Sequence, residues 1–332
     1  MGGLRDYLKL IRPYGMLFLG FTPVFAAISN GEYDGFHLGI LFLIGILAHI
    51  FVFVQNDYYD AEVDAKSKYV ASRPLSTGKI SKPRALLLFS GAFLLALALS
   101  FLWVYTWRAF WFLLVTFFLM TIYNKYSKKL PGMECVLSTG VFSLGLFGAF
   151  TVGAPLTPLA ALISFVCFLQ WFFSVGISAN FKDVEYDTRQ GIRTTPVILG
   201  VTAEHIPRLF IAYALGIQLL FLIILGLPFL LGLTSLTVQN LPVPLLGYGV
   251  LSSLVLLTTR GILTTPLEKR DTMLRYEGAH EGLSLLLIPF VLMPLFIDTL
   301  GVLLTTSLIL LLIVWPLGIL RFLYGKTLIP LE

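Results

Sequence analysis

The chain has 332 residues, of which 57% are hydrophobic and only 12% are charged. A soluble globular domain is usually about a quarter charged. The composition therefore excludes an ordinary soluble enzyme, a nucleic-acid-binding domain, a disordered chain and a disulfide-rich secreted module. The net charge of +5 has to be judged from where each base lies relative to the apolar segments.

Ten apolar segments alternate with polar breaks, and most have the roughly 17–25 residues that span a bilayer as a helix. This pattern predicts an all-α, polytopic helical bundle that forms one membrane-embedded domain over residues 1–332. The ninth segment is short and contains Pro289 and Pro294, so nine and ten spans both remain open, with 300–320 as the possible extra C-terminal helix. The predicted spans are 14–29, 38–54, 86–104, 109–123, 135–152, 158–178, 208–231, 244–263, 283–297 and 300–320.

The basic residues lie almost entirely on one side of these spans. If the N-terminus faces the cytoplasm, 22 of the 23 Lys and Arg residues lie on its side, and only Arg108 falls opposite. The positive-inside rule then predicts a cytoplasmic N-terminus, with the long polar loops on the cytoplasmic side. The connections on that side are 55–85, 124–134, 179–207 and 264–282.

Two acidic motifs follow the second and the sixth predicted span. The first covers 56–64 and the second covers 180–187, and both contain the pattern Asp-x-Glu-x-Asp. Because the motifs recur four spans apart, the sequence predicts two repeated four-helix units with both motifs on the same side.

Each motif is expected to place oxygen atoms along one helix face, because residues three or four apart on a helix are neighbours. Asp57, Glu62 and Glu185 are expected to point elsewhere. The residues of the two predicted stripes are Asn56, Asp60 and Asp64 in the first motif and Asn180, Asp183 and Asp187 in the second.

Carboxylates that converge in apolar surroundings repel one another unless cations are present, so the two stripes predict a metal site. Oxygen ligands favour Mg²⁺, which shares its coordination with substrate phosphates. Among the bases on the same side, Arg73 and Arg193 are the stronger candidates for binding phosphate. The other bases there are Lys66, Lys68, Lys125, Lys128, Lys129, Lys182 and Arg189, for most of which a role in topology is the simpler explanation.

The two acidic motifs resemble those of a known protein family. Asn56-Asp57-x-x-Asp60-x-x-x-Asp64 resembles the NDxxDxxxD motif of the UbiA superfamily of intramembrane prenyltransferases. Asp183-x-x-x-Asp187 followed by Gly191-Ile192-Arg193-Thr194 resembles its second motif, DxxxD. The family is typically built of nine helices, whereas hydropathy here gives ten.

The resemblance implies a central cavity that opens to lipid, two Mg²⁺ ions that bridge an isoprenyl diphosphate, and transfer of the prenyl group to an acceptor. It implies no nucleic-acid partner. The implied catalytic and metal-binding residues are Asn56, Asp60, Asp64, Asp183 and Asp187. The implied residues of the diphosphate site and cavity are Arg12, Asn56, Arg73, Tyr123, Lys128, Lys129, Asn180 and Arg193.

The acceptor remains open: an aromatic quinone precursor and a lipid are both compatible with these motifs. An intramembrane terpene cyclase, which ionises the same diphosphate and quenches the cation internally, is an alternative. A cation-coupled transporter is an alternative from a different class, but it favours acids near the bilayer midplane rather than at span ends. His49 is expected to be a buried histidine with its hydrogen bonds satisfied.

Overall fold

The computed structural model describes residues 2–67, 69–234 and 242–325. The regular elements in these ranges are all helical. The α-helices are α1 (Leu4–Ile11), α2 (Met16–Ser29), α3 (Gly35–Asp64), α4 (Lys82–Trp103), α5 (Trp107–Tyr126), α6 (Met133–Thr151), α7 (Pro158–Phe173), α8 (Asn180–Lys182), α9 (Val184–Arg189), α10 (Thr195–Ile198), α11 (Arg208–Leu230), α12 (Pro242–Thr264), α13 (Arg270–Val291) and α14 (Met293–Tyr324).

Within the described ranges, nine helical segments are long and apolar enough to cross a membrane. Eight of them contain the first eight predicted spans or most of their residues, and the ninth is α14. The predicted all-α membrane bundle is therefore confirmed. The predicted span 283–297 crosses the junction between α13 and α14 near Leu292, so it is not one unbroken helix.

The last two helices pass through the bundle and return. Arg270, at the start of α13, contacts Asp183, and the carbonyl of Leu323, near the end of α14, accepts a hydrogen bond from Arg5. Both contacts lie at the end of the bundle that carries the acidic motifs. Between them, Phe296 packs on Phe25 towards the opposite end. The reversal occurs at Gly301, where φ is 76° and only glycine is unstrained, so α13 and the start of α14 lead away from the motif end and the rest of α14 returns to it.

The helices pack closely around α2, which contacts α3, α6 and α7. Glycines allow this approach: a Cβ on Gly45 of α3 would overlap the Leu19 carbonyl oxygen, and one on Gly148 of α6 would overlap Pro23. Small residues at such contacts are typical of helix association in membranes, where backbone proximity supplies much of the packing energy.

The two motif-bearing helices end differently. Helix α3 continues without a break to Asp64, so the whole first motif is helical. Helix α7 ends at Phe173 and continues as a π-helical segment, Ser174–Ala179, before the short helices α8 and α9. Asp183 lies between these two with φ −103° and ψ 3°, outside the helical region. The predicted second stripe is therefore not carried by one continuous helix, although the backbone N–H of Asp187 still donates to the Asp183 carbonyl oxygen at 2.9 Å.

Candidate active site

The first motif has the predicted geometry. The amide of Asn56 donates a hydrogen bond to Asp60 Oδ2 at 3.3 Å, as expected for residues one turn apart on the same face. Asp60 and Asp64 are both buried at the end of α3. Continuous helix is sufficient to align these groups.

Asp57 was expected to point away from the site, and this expectation is wrong. Its side chain is buried, and its Oδ1 lies 2.6 Å from Arg12 Nη2 and 3.3 Å from Arg73 Nη1. The same Nη1 of Arg73 lies 2.7 Å from Asp64 Oδ2. Asp57 therefore holds two guanidinium groups next to the acidic stripe. These groups compensate the charge of the buried carboxylate, which would be costly without a partner.

Arg12 has an unusual backbone that positions its side chain. It ends α1 with φ 48° and ψ 60°, the one positive φ outside glycine among the described residues. His49 Nε2, on α3, lies 3.0 Å from the Ile11 carbonyl oxygen and 3.2 Å from that of Arg12. These contacts hold the backbone where α1 ends. The expectation of a satisfied structural histidine is supported at Nε2. The guanidinium of Arg12 also lies over the ring of Phe53, 5.1 Å from its centroid.

Asp187 of the second motif is buried, with only one of its carboxylate oxygens hydrogen-bonded. Thr194 Oγ1 donates to Oδ2 at 3.2 Å, whereas Oδ1 has no hydrogen-bond partner among the described residues. Burial raises the pKa of Asp187 to about 6; Lys128 and the Thr194 hydrogen bond oppose this shift, and Asp183 adds to it. A cation at the free oxygen would stabilise the ionised form.

Asp183 and its neighbours are held by contacts with distant segments. Arg270 Nη1 lies 2.8 Å from Asp183 Oδ1, and it also donates to the Lys182 carbonyl at 2.8 Å. Tyr186 Oη donates to the carbonyl oxygen of Val63 at 2.7 Å, which ties the second motif to the first. Contacts with distant segments thus help to position the second motif, whereas a continuous helix shapes the first.

Lys128, between α5 and α6, lies within electrostatic range of acids from both motifs. Burial lowers the pKa of Lys128, but the nearby carboxylates raise it by more, so its pKa lies above the ordinary value. None of these carboxylates makes an ion-pair contact with Lys128 among the described residues, so space remains between the ammonium and the acids. The carboxylates concerned are those of Asp60, Asp187, Asp183 and Asp64.

The donor set fits Mg²⁺ in a particular way. Within 2–67, 69–234 and 242–325, no three of His, Cys, Asp and Glu are grouped closely enough to hold a metal ion by themselves. Mg²⁺ commonly takes one or two carboxylates from a protein and completes its octahedron with water and phosphate oxygens. The free Oδ1 of Asp187 and the hard oxygens of Asp60 and Asp64 match that requirement.

Other predicted residues differ in position. Tyr123 is half-buried within electrostatic range of Asp60 and Asp187, and Asn180 is half-buried at the start of α8. Several predicted bases are exposed on the surface, and Lys68 lies outside the described residues. The exposed bases are Lys66, Lys125, Lys129, Arg189 and Arg193.

Sequence reasoning missed the residues that support the site. Arg270 lies far along the chain from either motif, and nothing in its spacing indicates a contact with Asp183. Thr194 was visible within the basic segment after the second motif but was not singled out. Asp57 sits inside the first motif, and its role follows only from the positions of Arg12 and Arg73.

Residues 17–260 match the profile of the UbiA prenyltransferase family. This chain belongs to that family. It is similar to a digeranylgeranylglyceryl phosphate synthase of Korarchaeum cryptofilum, with 29% identity over 296 residues, 87% of this chain and 99% of that relative. It also resembles a 4-hydroxybenzoate octaprenyltransferase of Shewanella oneidensis, with 29% identity over 210 residues, 61% of this chain and 70% of the relative.

Solved structures share the fold. A UbiA homologue from Archaeoglobus fulgidus bound to DMAPP and Mg²⁺ has a TM-score of 0.59 at 20% identity, covering 87% of this chain and 99% of that one. The apo structure of a UbiA homologue from Aeropyrum pernix has a TM-score of 0.62 at 16% identity, covering 85% and 97%. The protein is therefore a multi-pass membrane prenyltransferase of the UbiA family, which transfers a prenyl group from a prenyl diphosphate to an acceptor.

Proposed function

We propose that this protein performs Mg²⁺-dependent prenyl transfer at the cavity between its two acidic motifs, with the diphosphate held between Lys128 and the acids. Asp60, Asp64, Asp183 and Asp187 are the proposed metal ligands, with Asn56 assisting in the first motif. Two Mg²⁺ ions, one for each motif, account for the two separate groups of acids. Bound Mg²⁺ neutralises charge that develops on the leaving diphosphate.

The observation that carries this proposal is that the two motifs lie close together: Tyr186 Oη donates to the Val63 carbonyl oxygen at 2.7 Å, and Lys128 lies within electrostatic range of acids from both motifs. The four carboxylates outnumber the bases that pair with or face them, which are Arg73, Arg270 and Lys128, so net negative charge remains for a cation to offset. The ammonium is then placed to contact the diphosphate from the side opposite the acids. A site built only for a cation has no need of a lysine at its centre.

The reaction breaks the bond between C1 of the prenyl group and the diphosphate oxygen, and the bonding electrons leave with the diphosphate. Lys128, Arg12 and Arg73 stabilise that negative charge. The allylic cation that remains needs surroundings free of water. The structure offers an aromatic group for this purpose beside the first motif: Phe53 lies 6.2 Å from Trp171, which lies 5.8 Å from Phe18, measured between ring centroids.

We propose an acceptor that carries an acidic group. A small pocket of about 20 Å³ is lined by Lys9, Arg12 and Arg73 and by Asp57, which pairs with both arginines, so three bases face one acid. Tyr14 and Tyr324 also line it. This basic lining suits the phosphate of a glyceryl phosphate lipid or the carboxylate of a hydroxybenzoate, the two acceptor types that the relatives' names indicate. The acceptor nucleophile bonds to C1 of the cation and loses its proton.

The distribution of bases supports a cytoplasmic site. The N-terminal helix α1, both acidic motifs and the end of α14 lie at the same end of the bundle, and most Lys and Arg residues lie there too. By the positive-inside rule this end faces the cytoplasm. Cysteine labelling in intact cells tests it: a cysteine introduced at Lys129 should be protected from an impermeant maleimide, and one at Arg108 should react.

The enzymatic test is turnover by the full chain in nanodiscs, with Mg²⁺ and prenyl diphosphates of increasing chain length. Diphosphate release and product mass are measured together for a glyceryl phosphate lipid, a hydroxybenzoate and no acceptor. We expect release that depends on Mg²⁺ and on an acidic acceptor. Release without an acceptor, together with a cyclic hydrocarbon product, would contradict transfer in favour of cyclisation.

Two adjacent lysines provide a matched control for the diphosphate site. Lys128 faces the acids and Lys129 is exposed, so their replacement by methionine removes one charge from the cavity or one from the surface. Lys128→Met should lower kcat/KM for the donor by about 10²-fold, the typical effect of losing one preorganised charge-stabilising group. Lys129→Met should stay within about twofold of the parent, and equal losses in both variants would remove Lys128 from the site.

A further inference from the structure

Arg270 makes three contacts that meet at the second motif. Its Nη1 donates to the Lys182 carbonyl at 2.8 Å and lies 2.8 Å from Asp183 Oδ1. Its guanidinium carbon lies 4.1 Å from the centroid of the Tyr69 ring, a stacked cation–π arrangement. The side chain is only 13% exposed, although it begins a helix at the end of the bundle.

A second ion pair from the same helix strengthens the attachment. Glu277 lies seven residues after Arg270, two turns along one face of α13, and its oxygens lie 2.9 and 3.0 Å from Lys182 Nζ. Helix α13 thus presents a base to Asp183 and an acid to Lys182. Because the signs are opposite at adjacent residues, a shift of register between α13 and the motif would bring like charges together.

The contact with Tyr69 extends this attachment to the other half of the molecule. Tyr69 lies in the connection that follows the first motif and that also supplies Arg73. Arg270 therefore joins the interrupted second motif to the segment that covers the first. The hydrogen bond from Tyr186 to the Val63 carbonyl oxygen also joins the second motif to the first motif's helix.

We propose that Arg270 is a positioning residue, which orients Asp183 for the cation and couples that motif, through Tyr69, to the segment after the first motif. The proposal rests on the proposed function, because it takes Asp183 as a metal ligand. Arg270 contacts Oδ1 of Asp183, which leaves Oδ2 of the same carboxylate for a cation. Groups that hold a metal ligand in this way typically change metal affinity or activity about 10–100-fold when removed.

The test measures cation binding directly, so that it does not depend on turnover. Full-length protein in nanodiscs is titrated with Mn²⁺ and followed by electron paramagnetic resonance, in the presence of a non-reactive thiolodiphosphate analogue of the donor. The variants are Arg270→Gln, Arg270→Lys, Tyr69→Leu and the double variant Arg270→Gln/Tyr69→Leu. Arg275→Gln is the matched control, because Arg275 lies on the exposed face of the same helix.

We expect Arg270→Gln to raise the Mn²⁺ dissociation constant about 10-fold and Arg270→Lys to restore part of this loss, since lysine keeps the charge but not the planar group. Arg275→Gln should bind like the parent. Tyr69→Leu should weaken binding less, and the double variant should bind no worse than Arg270→Gln, because both changes interrupt one connection. Tryptic cleavage of the 65–80 segment, which the analogue and Mn²⁺ should slow in the parent, should stay fast in Arg270→Gln.

Unchanged Mn²⁺ binding in Arg270→Gln, or an equal loss in Arg275→Gln, would overturn the positioning role. Independent, multiplying effects of the two single changes would overturn the coupling through Tyr69. If Arg270→Gln does not give a monodisperse protein, Arg270→Lys decides the question by the same titration. A parent protein that binds Mn²⁺ but releases no diphosphate with any donor contradicts the proposed function alone.

Discussion

The two acidic motifs lie close together at one end of the bundle, but different interactions shape them. The first lies on α3, a single helix from Gly35 to Asp64, and its side chains are aligned by helix geometry alone. The second follows a π-helical segment and is broken at Asp183, so its side chains are aligned by Arg270, Thr194 and Tyr186. The two motifs have similar sequences, but the first is held by its own helix and the second depends on contacts with other segments.

This difference has a functional meaning. π-helical segments occur frequently at functional sites, because the extra residue per turn redirects the side chains that follow. A motif held by several distant contacts responds when one of those contacts changes. We therefore expect the second motif to tolerate fewer changes in its surroundings than the first.

The largest effect should come from removing one acid from each motif. Asp60→Ala and Asp183→Ala should each lower kcat for diphosphate release by about 10³-fold, because each removes a ligand for the cation that stabilises the leaving group. Glu62→Gln is the control, since Glu62 is exposed and pairs with Lys82. A change below tenfold in either Ala variant would show that the motif concerned takes no part in the reaction.

A large effect on stability, rather than on chemistry, is expected at Asp57. Asp57→Asn leaves the guanidinium groups of Arg12 and Arg73 without their shared carboxylate, and breaking a buried pair typically costs about 3 kcal/mol. Reversible unfolding in mixed micelles should show this loss. An unchanged unfolding midpoint would show that Asp57 is not the anchor of the first motif.

A single added methyl group should distinguish the two helices. A Cβ on Gly176, in the π-helical segment, would lie 2.8 Å from Glu134 Cγ, and Glu134 holds Thr195 next to Thr194. Gly176→Ala should destabilise the protein by about 2 kcal/mol through overpacking and weaken Mn²⁺ binding. Gly39→Ala on α3 is the counterpart, with open space around its Cβ; it should be neutral or slightly stabilising, and equal losses would contradict the comparison.

The smallest expected effect concerns the hydrogen bond between the two motifs. Tyr186→Phe removes the bond to the Val63 carbonyl and should cost about 1 kcal/mol of stability. Hydrogen exchange measured by mass spectrometry should show faster exchange in 184–189 than in 56–64. Equal acceleration in both segments would mean that the first motif also depends on this tie.

Much of the fold was predictable because the membrane imposes it. Apolar length indicates the spans, and the distribution of bases predicts their orientation. The segment 283–297 does not correspond to one helix, because proline and a charged helix start obscure the boundaries of α13 and α14. The contact between Asn56 and Asp60 in the first motif follows from sequence spacing, because a continuous helix relates residues four apart by fixed geometry. The second motif follows an interrupted helix, and hydropathy does not reveal that interruption.

The sequence by itself determined the membrane bundle and the family, because both follow from composition and local spacing, and it predicts which acids bind metal. Tertiary structure alone decided that Asp57 holds Arg12 and Arg73, that Lys128 rather than Lys129 faces the acids, and that Arg270 reaches Asp183. These are contacts between segments far apart in the chain. Their partners are fixed by how helices pack, and no local pattern of residues encodes that packing.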